Sequence, residues 1–433
     1  MVATSYRGRR AKIVALPRMV RVKQHFDTPI VADLPAAITA ELDQIDVSSI
    51  VGKGDSVAVG GGSRGVANID VVIKATLDYL KRIGAKPFVV PAMGSHGGAT
   101  AEGQRAVLEH YGITEETVGA PVKATMEVAE VGQTADGLPV FLDRYAAEAD
   151  HLVPINRIKA HTDFSGSIES GLMKMLAIGF GKQHGASMYH RAFFHYGFEH
   201  VIRTVSSLLM DAGKIAFGVG LVENAHEQTA KVAAMRAGEL TRRERELLIE
   251  SKSLMGRLPF DAFDLLIVDW MGKNISGTGI DTNVIGRMMQ VLKPEPEKPA
   301  IVRIFVRDLT DDSDGNATGI GLADFTTTRL VEKIDRHATY MNGITGLGPQ
   351  KSKIPFYYDT DLEAIEVALS TIGLTPPEQT KVVRIGSTLH LAEVDISEAL
   401  LEDAKLRSDL DVIGELKSFA LDSAGNLLPF DEK

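Results

Sequence analysis

Ser63 and Arg64 stand among glycines in the first stretch of the sequence that could do chemistry. They follow Gly61 and Gly62, directly after a short apolar run and before a helical pattern. Small residues let backbone N–H groups approach an anion, and an arginine can hold a carboxylate with two hydrogen bonds. A glycine turn with a solvated arginine explains the same residues, so this pattern alone leaves anion binding open.

His96 lies in a second glycine-rich stretch, between Gly94 and Gly97. A histidine with exposed ring nitrogens can serve as a general acid or base near neutral pH. The same histidine could instead cap the helix that follows. Taken alone, the residue favours this structural interpretation.

Lys174 lies in a third stretch and has only apolar residues on either side of it, in the segment 172–176. A lysine in such a setting loses solvation, so its pKa falls and a fraction becomes nucleophilic amine. A lysine that snorkels from a buried helix is the alternative interpretation.

Six of the twelve histidines lie between His151 and His200. No pair has the i, i+4 spacing of a metal-binding helix. His190, His195 and His200 repeat at intervals of five, which would wind around a helix and present no common face. The spacing therefore disfavours a conventional multi-histidine metal site.

Apolar runs and helical periodicities alternate along the chain, which predicts parallel sheets covered by helices. The predicted strands before residue 260 are 56–60, 88–90 and 151–155. The predicted helices there run from 69 to about 83, from the end of the glycine-rich stretch near residue 100 to about 111, over 169–178 and over 240–253. Those after residue 260 are strands at 263–269, 301–306 and 382–385, with helices near 281–292, 326–334 and 362–369. In such sheets ligands gather where the strands end, and the three polar stretches lie at such ends.

The length of 433 residues and the restart of the alternation near residue 263 predict two domains. We expect an α/β fold in which each domain is a mostly parallel sheet with helices on both faces and the active site lies in the cleft between them. The expected boundaries are 1–260 for a cofactor- and substrate-binding domain and 261–395 for a second α/β domain. A tail, 396–433, is assigned to neither domain by pattern, and packing back on the N-terminal domain is one option for it.

The composition excludes several classes of protein. The net charge of -10 argues against a general nucleic-acid binder, and zero cysteines exclude disulfides, thiolate zinc sites and a cysteine nucleophile. No apolar run approaches the ~18 residues of a membrane span, and the basic first 26 residues lack the apolar stretch of a signal peptide. We therefore expect a soluble, cytoplasmic protein with no membrane or nucleic-acid partner.

Taken together, the polar stretches resemble those of the nickel-pincer lactate racemase family. The family's early loop, whose arginine binds the substrate carboxylate, matches Gly61-Gly62-Ser63-Arg64. Its two catalytic histidines match His96 and His161, the second of which precedes a Phe-Ser-Gly segment. Its cofactor-binding lysine matches Lys174, and its nickel ligand, sixteen residues further on, matches His190.

The sequence departs from the family pattern at two places. An acidic residue of the family's first loop falls on Gly61. The family's substrate-closing segment carries a Gln and a Lys, whereas residues 271–279 keep only an early lysine, Lys273. The resemblance therefore implies Arg64 and Lys273 as substrate-binding residues. It leaves open which 2-hydroxyacid is bound and whether another residue of the second domain closes on it.

The resemblance implies a racemase or epimerase that moves hydride reversibly between a 2-hydroxyacid and a nickel-pincer nucleotide. This cofactor is the nickel complex of pyridinium-3,5-bisthiocarboxylic acid mononucleotide, attached to Lys174, with Ser63, Ser165 and Gly166 as further binding residues. It brings two sulfurs and a carbon to nickel, so a chain without cysteine can hold the metal with one histidine. The two catalytic histidines would serve opposite enantiomers.

Two other functions stay open at the level of sequence. Lys174 could form the Schiff base of a pyridoxal-phosphate enzyme, although no partner for the pyridinium nitrogen is evident. The chain could also be a non-catalytic anion- or nucleotide-binding protein of the same fold. Histidines in two separate loops weigh against this last reading. Homo-oligomer formation is left open.

Overall fold

The structure is a computed structural model that describes residues 16–63, 65–291 and 293–430. It divides into two compact units. The N-terminal unit consists of Asp27–Met255. The C-terminal unit consists of Gly256–Lys433 together with Met1–Phe26, as far as these are described.

The first strand, β1 (Met19–Gln24), belongs to the C-terminal unit. The strands of the N-terminal unit are β2 (Ser56–Gly61), β3 (Lys86–Pro91), β4 (Val128–Gln133), β5 (Pro139–Asp143), β6 (His151–Arg157), β7 (Phe217–Glu223) and β8 (Thr229–Arg236). Its helices are α1 (Leu34–Gln44), α2 (Ile69–Arg82), α3 (Ala101–His110), α4 (Glu115–Val118), α5 (Arg144–Glu148), α6 (Leu172–Lys174), α7 (Lys182–Tyr196), α8 (Phe198–Asp211) and α9 (Leu240–Leu254).

The strands of the C-terminal unit that follow are β9 (Ala262–Met271), β10 (Ala300–Leu309), β11 (Phe325–Thr327), β12 (Phe356–Tyr358), β13 (Val382–Ile385), β14 (Glu393–Ser397) and β15 (Leu410–Val412). Its helices are α10 (Thr282–Ile285), α11 (Thr328–Lys333), α12 (Arg336–Thr345), α13 (Asp361–Ser370) and α14 (Leu401–Lys405).

The main sheet of the N-terminal unit has the order β3-β2-β6-β7-β8 among the described residues. Its pairs are parallel except β7 with β8. Val57 and Val59 belong to the apolar core on one face of the sheet, and Ala58 belongs to the core on the other. Because successive strand residues point to opposite faces, both faces of β2 are buried, as in sheets covered by helices on both sides.

Gly60 allows a close approach between β2 and the segment that follows Lys174. A Cβ atom at this glycine would lie 2.3 Å from Cζ of Phe180. The aromatic ring therefore packs directly on the strand backbone. This contact holds the end of the Lys174 segment against β2.

The C-terminal unit contains a sheet with the order β12-β11-β10-β9-β13-β14-β1-β15 in the described part of the chain. The pairs from β12 to β13 are parallel, and the pairs involving β14, β1 and β15 are antiparallel. Val20 lies opposite Ile396 in the β1–β14 pair, and both belong to one apolar core. The two-domain α/β class expected from the sequence is confirmed.

The division of the chain differs from the expected boundaries in two respects. Residues 19–24 were expected in the N-terminal domain, but they pair with β14 and β15 in the C-terminal unit. The tail also belongs to that unit, since buried Arg307 and Arg384 donate to the carbonyls of Leu427 and Leu428. The tail therefore packs within the C-terminal unit, which differs from the option that it packs back on the N-terminal domain.

Three expected helices differ from the structure. The helix expected over 281–292 is only α10, because Gly286 ends it with a φ of +63°. The helix expected over 326–334 begins at Thr328, because residues 325–327 form β11. The helix expected over 169–178 begins at Leu172 and continues as a π-helix over Met175–Gly179.

Candidate active site

Three loops of the N-terminal unit lie at the carboxyl ends of neighbouring strands. Ser63 follows β2, His96 follows β3 and His161 follows β6. In the sheet, β3 lies next to β2 on one side, and β6, the next strand of this sheet along the chain, lies next to β2 on its other side. The strand order therefore reverses between β2 and β6, which makes this position a topological switch point. Open α/β sheets bind ligands at such switch points. The sequence expectation that these loops share one edge of the sheet agrees with this topology.

Ser63 and His96 form a hydrogen bond between the serine Oγ and the ring Nδ1. The backbone N–H of His96 donates to the carbonyl of Met93 at 3.1 Å. The structure thus gives Ser63 a role in orienting the His96 ring. Its expected contact with a cofactor stays a prediction. The helix α3 is capped by Thr100, so the alternative of His96 as its N-cap does not apply.

His161 and Lys174 form a direct hydrogen bond between Nε2 and Nζ. The other ring nitrogen, Nδ1, accepts the backbone N–H of Asp163 at 3.0 Å. A neutral imidazole has one N–H and one lone pair, so the nitrogen that accepts from Asp163 leaves the proton on Nε2. Nε2 then donates to Lys174, whose nitrogen can accept only as an unprotonated amine. In the neutral form of this pair, Lys174 is an unprotonated amine whose lone pair points toward His161 Nε2.

A buried carboxylate, Glu169, holds the loop that carries His161. Its oxygens accept the backbone N–H of His161 at 2.7 Å and that of Gly166 at 3.0 Å. Lys252 donates to the same carboxylate at 2.6 Å. Sequence reasoning missed Glu169 and Lys252, because a lone acid and a lone base 83 residues apart make no pattern. Gly166 was expected to bind the cofactor, and this role stays a prediction.

The segment around Lys174 has an unusual backbone. Lys174 ends α6 and is followed by the π-helical residues Met175–Gly179. Such π segments inside helices occur frequently at functional sites. Met175 also approaches β2, because a Cβ atom at Gly62 would lie 3.4 Å from its Cε. Lys174 is therefore anchored beside the loop that begins with Gly62 and Ser63.

A second buried carboxylate, Glu244 of α9, lies at the start of α6. It accepts the backbone N–H of Met173 at 2.9 Å. Burial raises the pKa of Glu244 to about 7, against the opposing effect of the N–H groups of Met173 and Leu172. Gly171 is required here, since a Cβ atom on it would lie 2.4 Å from Glu244 Oε1.

His190 has the features of a neutral metal ligand. Its Nδ1 is buried and has no hydrogen-bond partner among the described residues. Burial lowers the pKa of His190 to about 4, and the positive charge of Lys174 in its protonated form lowers it further, whereas Asp163 and the backbone of Ala186 oppose the shift. His190 is therefore an uncharged imidazole at neutral pH, within electrostatic range of Lys174 and Asp163.

The other histidines of this region are more exposed. His184 is exposed, and its ring lies edge-on to the ring of Phe141, with 4.4 Å between the ring centroids. His195 and His200 are exposed, and Gly197 separates α7 from α8, so the expected winding of His190, His195 and His200 around one helix is wrong. Within residues 16–63, 65–291 and 293–430, no group of three or more His, Asp or Glu side chains could hold a metal ion.

The expected roles of three other site residues stay predictions. Arg64 lies outside the described residues, and its binding of a substrate carboxylate stays a prediction. Ser165 is exposed in the loop after His161. Lys273 lies in the C-terminal unit, where its Nζ donates to Asn342 Oδ1 at 2.7 Å. Its role toward a substrate also stays a prediction.

Comparisons with known proteins agree with the expected family. Residues 20–199 match the family described as the lactate racemase N-terminal domain. The fold is similar to that of the lactate racemase apoprotein from Thermoanaerobacterium thermosaccharolyticum, with a TM-score of 0.53 and 13% identity over 86% of this chain and 98% of that chain. A search of curated proteins finds no match. No helix among the described residues is long and apolar enough to cross a membrane. Residues 20–199 are therefore similar to the N-terminal domain of lactate racemases, and the fold of the chain is similar to that of a lactate racemase apoprotein.

Proposed function

We propose that this chain racemises or epimerises a 2-hydroxyacid by reversible hydride transfer to a nickel-pincer nucleotide held on Lys174. The observation that carries this proposal is the hydrogen bond between Lys174 Nζ and His161 Nε2. It places an amine that can be acylated directly beside a group that can exchange protons. The match of residues 20–199 to the lactate racemase N-terminal domain supports the same reaction class.

The residues of the N-terminal unit fit this cofactor. The buried Nδ1 of His190, without a hydrogen-bond partner in the described chain, offers a neutral nitrogen to a metal. The sequence has no cysteine, so soft ligands would have to come with the cofactor. The amine of Lys174 is suited to attach to an acyl-type carbon. When bound, the cofactor would supply nickel and a carbon that accepts hydride.

His161 would take on its catalytic role once the cofactor is attached. A Lys174 nitrogen that held the cofactor would no longer offer the lone pair that accepts the Nε2 proton. His161 Nε2 is then available to exchange a proton with the hydroxyl of a substrate. The Glu169 carboxylate, which accepts the backbone N–H of His161, keeps the loop in place during this change.

His96 would exchange the proton of the other enantiomer. The Ser63 hydroxyl can donate to Nδ1 or accept from it, because a hydroxyl has both a proton and lone pairs. Either ring tautomer is therefore supported, and Nε2 can take up or give back a proton. This property suits a reaction that runs in both directions. Arg64 would hold the substrate carboxylate.

Single-turnover kinetics test the paired histidines. Cofactor-loaded His96→Asn and His161→Asn are mixed rapidly with each enantiomer of a candidate 2-hydroxyacid, and cofactor absorbance is recorded. We expect opposite enantiomer preferences in the two variants, with turnover reduced by ~10²–10⁴-fold in each. His184→Asn, which changes an exposed histidine of the same region, is the control and should behave like the wild type. If either variant transfers hydride to the cofactor equally well from both enantiomers, the histidine changed in that variant is not one of the two acid–base groups.

Intact mass tests the attachment site and separates the alternatives. Protein made together with the cofactor-synthesis enzymes should gain one adduct, and Lys174→Ala should abolish it, whereas Lys74→Ala, at an exposed position, should not. An adduct that persists in Lys174→Ala would contradict the assignment. A borohydride-reducible adduct with pyridoxal phosphate on Lys174 would instead support a pyridoxal-phosphate enzyme. A loaded protein that turns over no hydroxyacid would support a binding protein.

A further inference from the structure

A buried lysine connects the loop of His96 with the helix that carries His190. Lys182 is the first residue of α7, and its side chain is 0% exposed. Its backbone has a φ of +55°, a conformation that is uncommon for residues other than glycine. Lysine is almost never fully buried unless it is paired. Both features cost free energy, so contacts around the ammonium group must compensate for them.

The Lys182 ammonium contacts three elements. Its Nζ donates at 2.5 Å to the carbonyl of Pro91, the last residue of β3, and at 3.0 Å to Oε1 of Gln104 on α3. It also lies 2.9 Å from Oδ2 of Asp143 on β5, with which it forms a buried ion pair. Burial lowers the pKa of Lys182 and raises that of Asp143, and each charge opposes the shift of the other.

Gln104 extends this contact to the backbone of the His96 loop. Its side chain is 0% exposed, and its Nε2 donates to the carbonyls of Gly94 at 2.9 Å and His96 at 3.2 Å. Because Oε1 accepts from Lys182, the amide cannot flip without turning its NH₂ group toward the ammonium. The helix also packs tightly on the loop, since a Cβ atom on Gly97 would lie 2.7 Å from the Gln104 backbone nitrogen.

We propose that Lys182 is the positioning residue of the His96 loop. Its ammonium holds the backbone directly at Pro91 and through the Gln104 side chain at Gly94 and His96. This arrangement keeps the His96 ring against Ser63 without touching the ring itself. The inference rests on the proposed function only where it treats His96 as a proton-exchanging group. The holding of the loop does not depend on that function.

Hydrogen exchange tests the link through Gln104 in protein without cofactor. Gln104→Leu removes the donor to both loop carbonyls. We expect exchange of the amides in residues 92–99 to become at least about tenfold faster, because their backbone loses two of its contacts. Unchanged exchange in this segment would overturn the proposal.

The chain offers a matched control in the C-terminal unit. Gln24 is 5% exposed, and its Nε2 also donates to two backbone carbonyls, those of Arg257 and Leu391. Gln24→Leu therefore makes the same chemical change with the same loss of hydrogen bonds. It should leave exchange in residues 92–99 as in the wild type. An equal acceleration in both variants would mean a general loss of stability and would also overturn the proposal.

A double variant tests the contribution of Lys182 itself. Lys182→Met alone leaves the Asp143 carboxylate buried without its partner, which destabilises the fold strongly. Lys182→Met combined with Asp143→Asn removes both charges, so neither is left buried without its partner, and it keeps the Oδ1 atom that accepts the backbone N–H of Ala146 at 3.1 Å. We expect the double variant to accelerate exchange in residues 92–99 as Gln104→Leu does. A folded double variant with wild-type exchange there would refute the role of Lys182.

Steady-state kinetics of cofactor-loaded protein provide a readout that a purely structural role would not change. We expect Gln104→Leu to lower kcat about tenfold to a hundredfold with little change in KM, since a displaced catalytic group costs rate rather than binding. Gln24→Leu should keep both constants. If His96 is not a proton-exchanging group, this effect on kcat disappears while the exchange result stands. A failure of the proposed role of His96 is thereby distinguished from a failure of the proposed role of Lys182.

Discussion

Glu244 offers a test of the packing around Lys174. Its side chain is 1% exposed, and one oxygen accepts the N–H of Met173 at 2.9 Å. The other oxygen, Oε1, has no hydrogen-bond partner among the described residues. Burial raises the pKa of this carboxyl group to about 7 from an ordinary value of 4.5. Glu244→Gln replaces the acid by a neutral group of the same shape that keeps the accepting oxygen.

The raised pKa of Glu244 makes stability depend on pH. Between pH 4.5 and about 7 the unfolded chain has released this proton while the folded chain still holds it. The folded state binds more protons there, so the free energy of unfolding falls as pH rises. At 1.36 kcal/mol for each pH unit, the loss is about 3 kcal/mol. The contribution is fully present below pH 4.5 and lost above about pH 7.

Urea unfolding of wild type and Glu244→Gln between pH 4.5 and 8.5, followed by far-ultraviolet circular dichroism, measures this loss. We expect the variant to gain about 3 kcal/mol relative to the wild type across the interval, because glutamine does not titrate. Glu250→Gln, which changes a more exposed acid of α9 paired with Lys231, is the control and should follow the wild type. Parallel pH profiles of wild type and Glu244→Gln would refute a carboxyl group protonated by burial.

Three further predictions follow from the same unit. His190→Ala should lower nickel retention in cofactor-loaded protein, measured by elemental analysis after dialysis, more than His184→Ala does, and equal retention would remove the ligand role from His190. Gly60→Ala should destabilise the unit by about 1–3 kcal/mol, because the added Cβ overlaps Phe180; an unchanged melting temperature in calorimetry would contradict this packing. Tyr189→Phe should cost about 1–3 kcal/mol in denaturant unfolding, since the buried N–H of Phe141 and the partly buried carbonyl of Pro139 lose their partner, and a smaller change would mean that water replaces the hydroxyl.

Strands buried on both faces were the most predictable part of the fold. The strand expected at 382–385 coincides with β13, and the one expected at 56–60 differs from β2 by a single residue. Continuous apolar runs of this kind are typical of strands that are buried on both faces, so they can be recognised without knowledge of the neighbouring strands. The helix expected over 326–334 failed in its first residues because Thr326 and Thr327 pair with neighbouring strands, and a local periodicity contains no information about such partners.

The candidate site was predictable only where its residues share a motif. His96, His161, Lys174 and His190 could be named because their order and spacing match a family. The two acids Glu169 and Glu244 and the buried Lys182 could not, because their roles arise from contacts with residues far away in sequence. Glu244, for example, reaches Met173 across 71 residues. Single-sequence reasoning identifies reactive groups more readily than the residues that hold them.

The pairing of β1 with β14 and β15 has a consequence for the synthesis of the chain. About 370 residues separate the end of β1 from the start of its first partner strand. At translation rates of roughly 5–20 residues per second, β1 leaves the ribosome on the order of tens of seconds before β14 exists. The unit 27–255 is synthesised within that interval, so we expect it to fold first, with the strand at its N-terminal side still unpaired. Ribosome-bound chains arrested near residue 390 should therefore be cut by trypsin at Arg21 and Lys23, while released full-length chains should resist cleavage there.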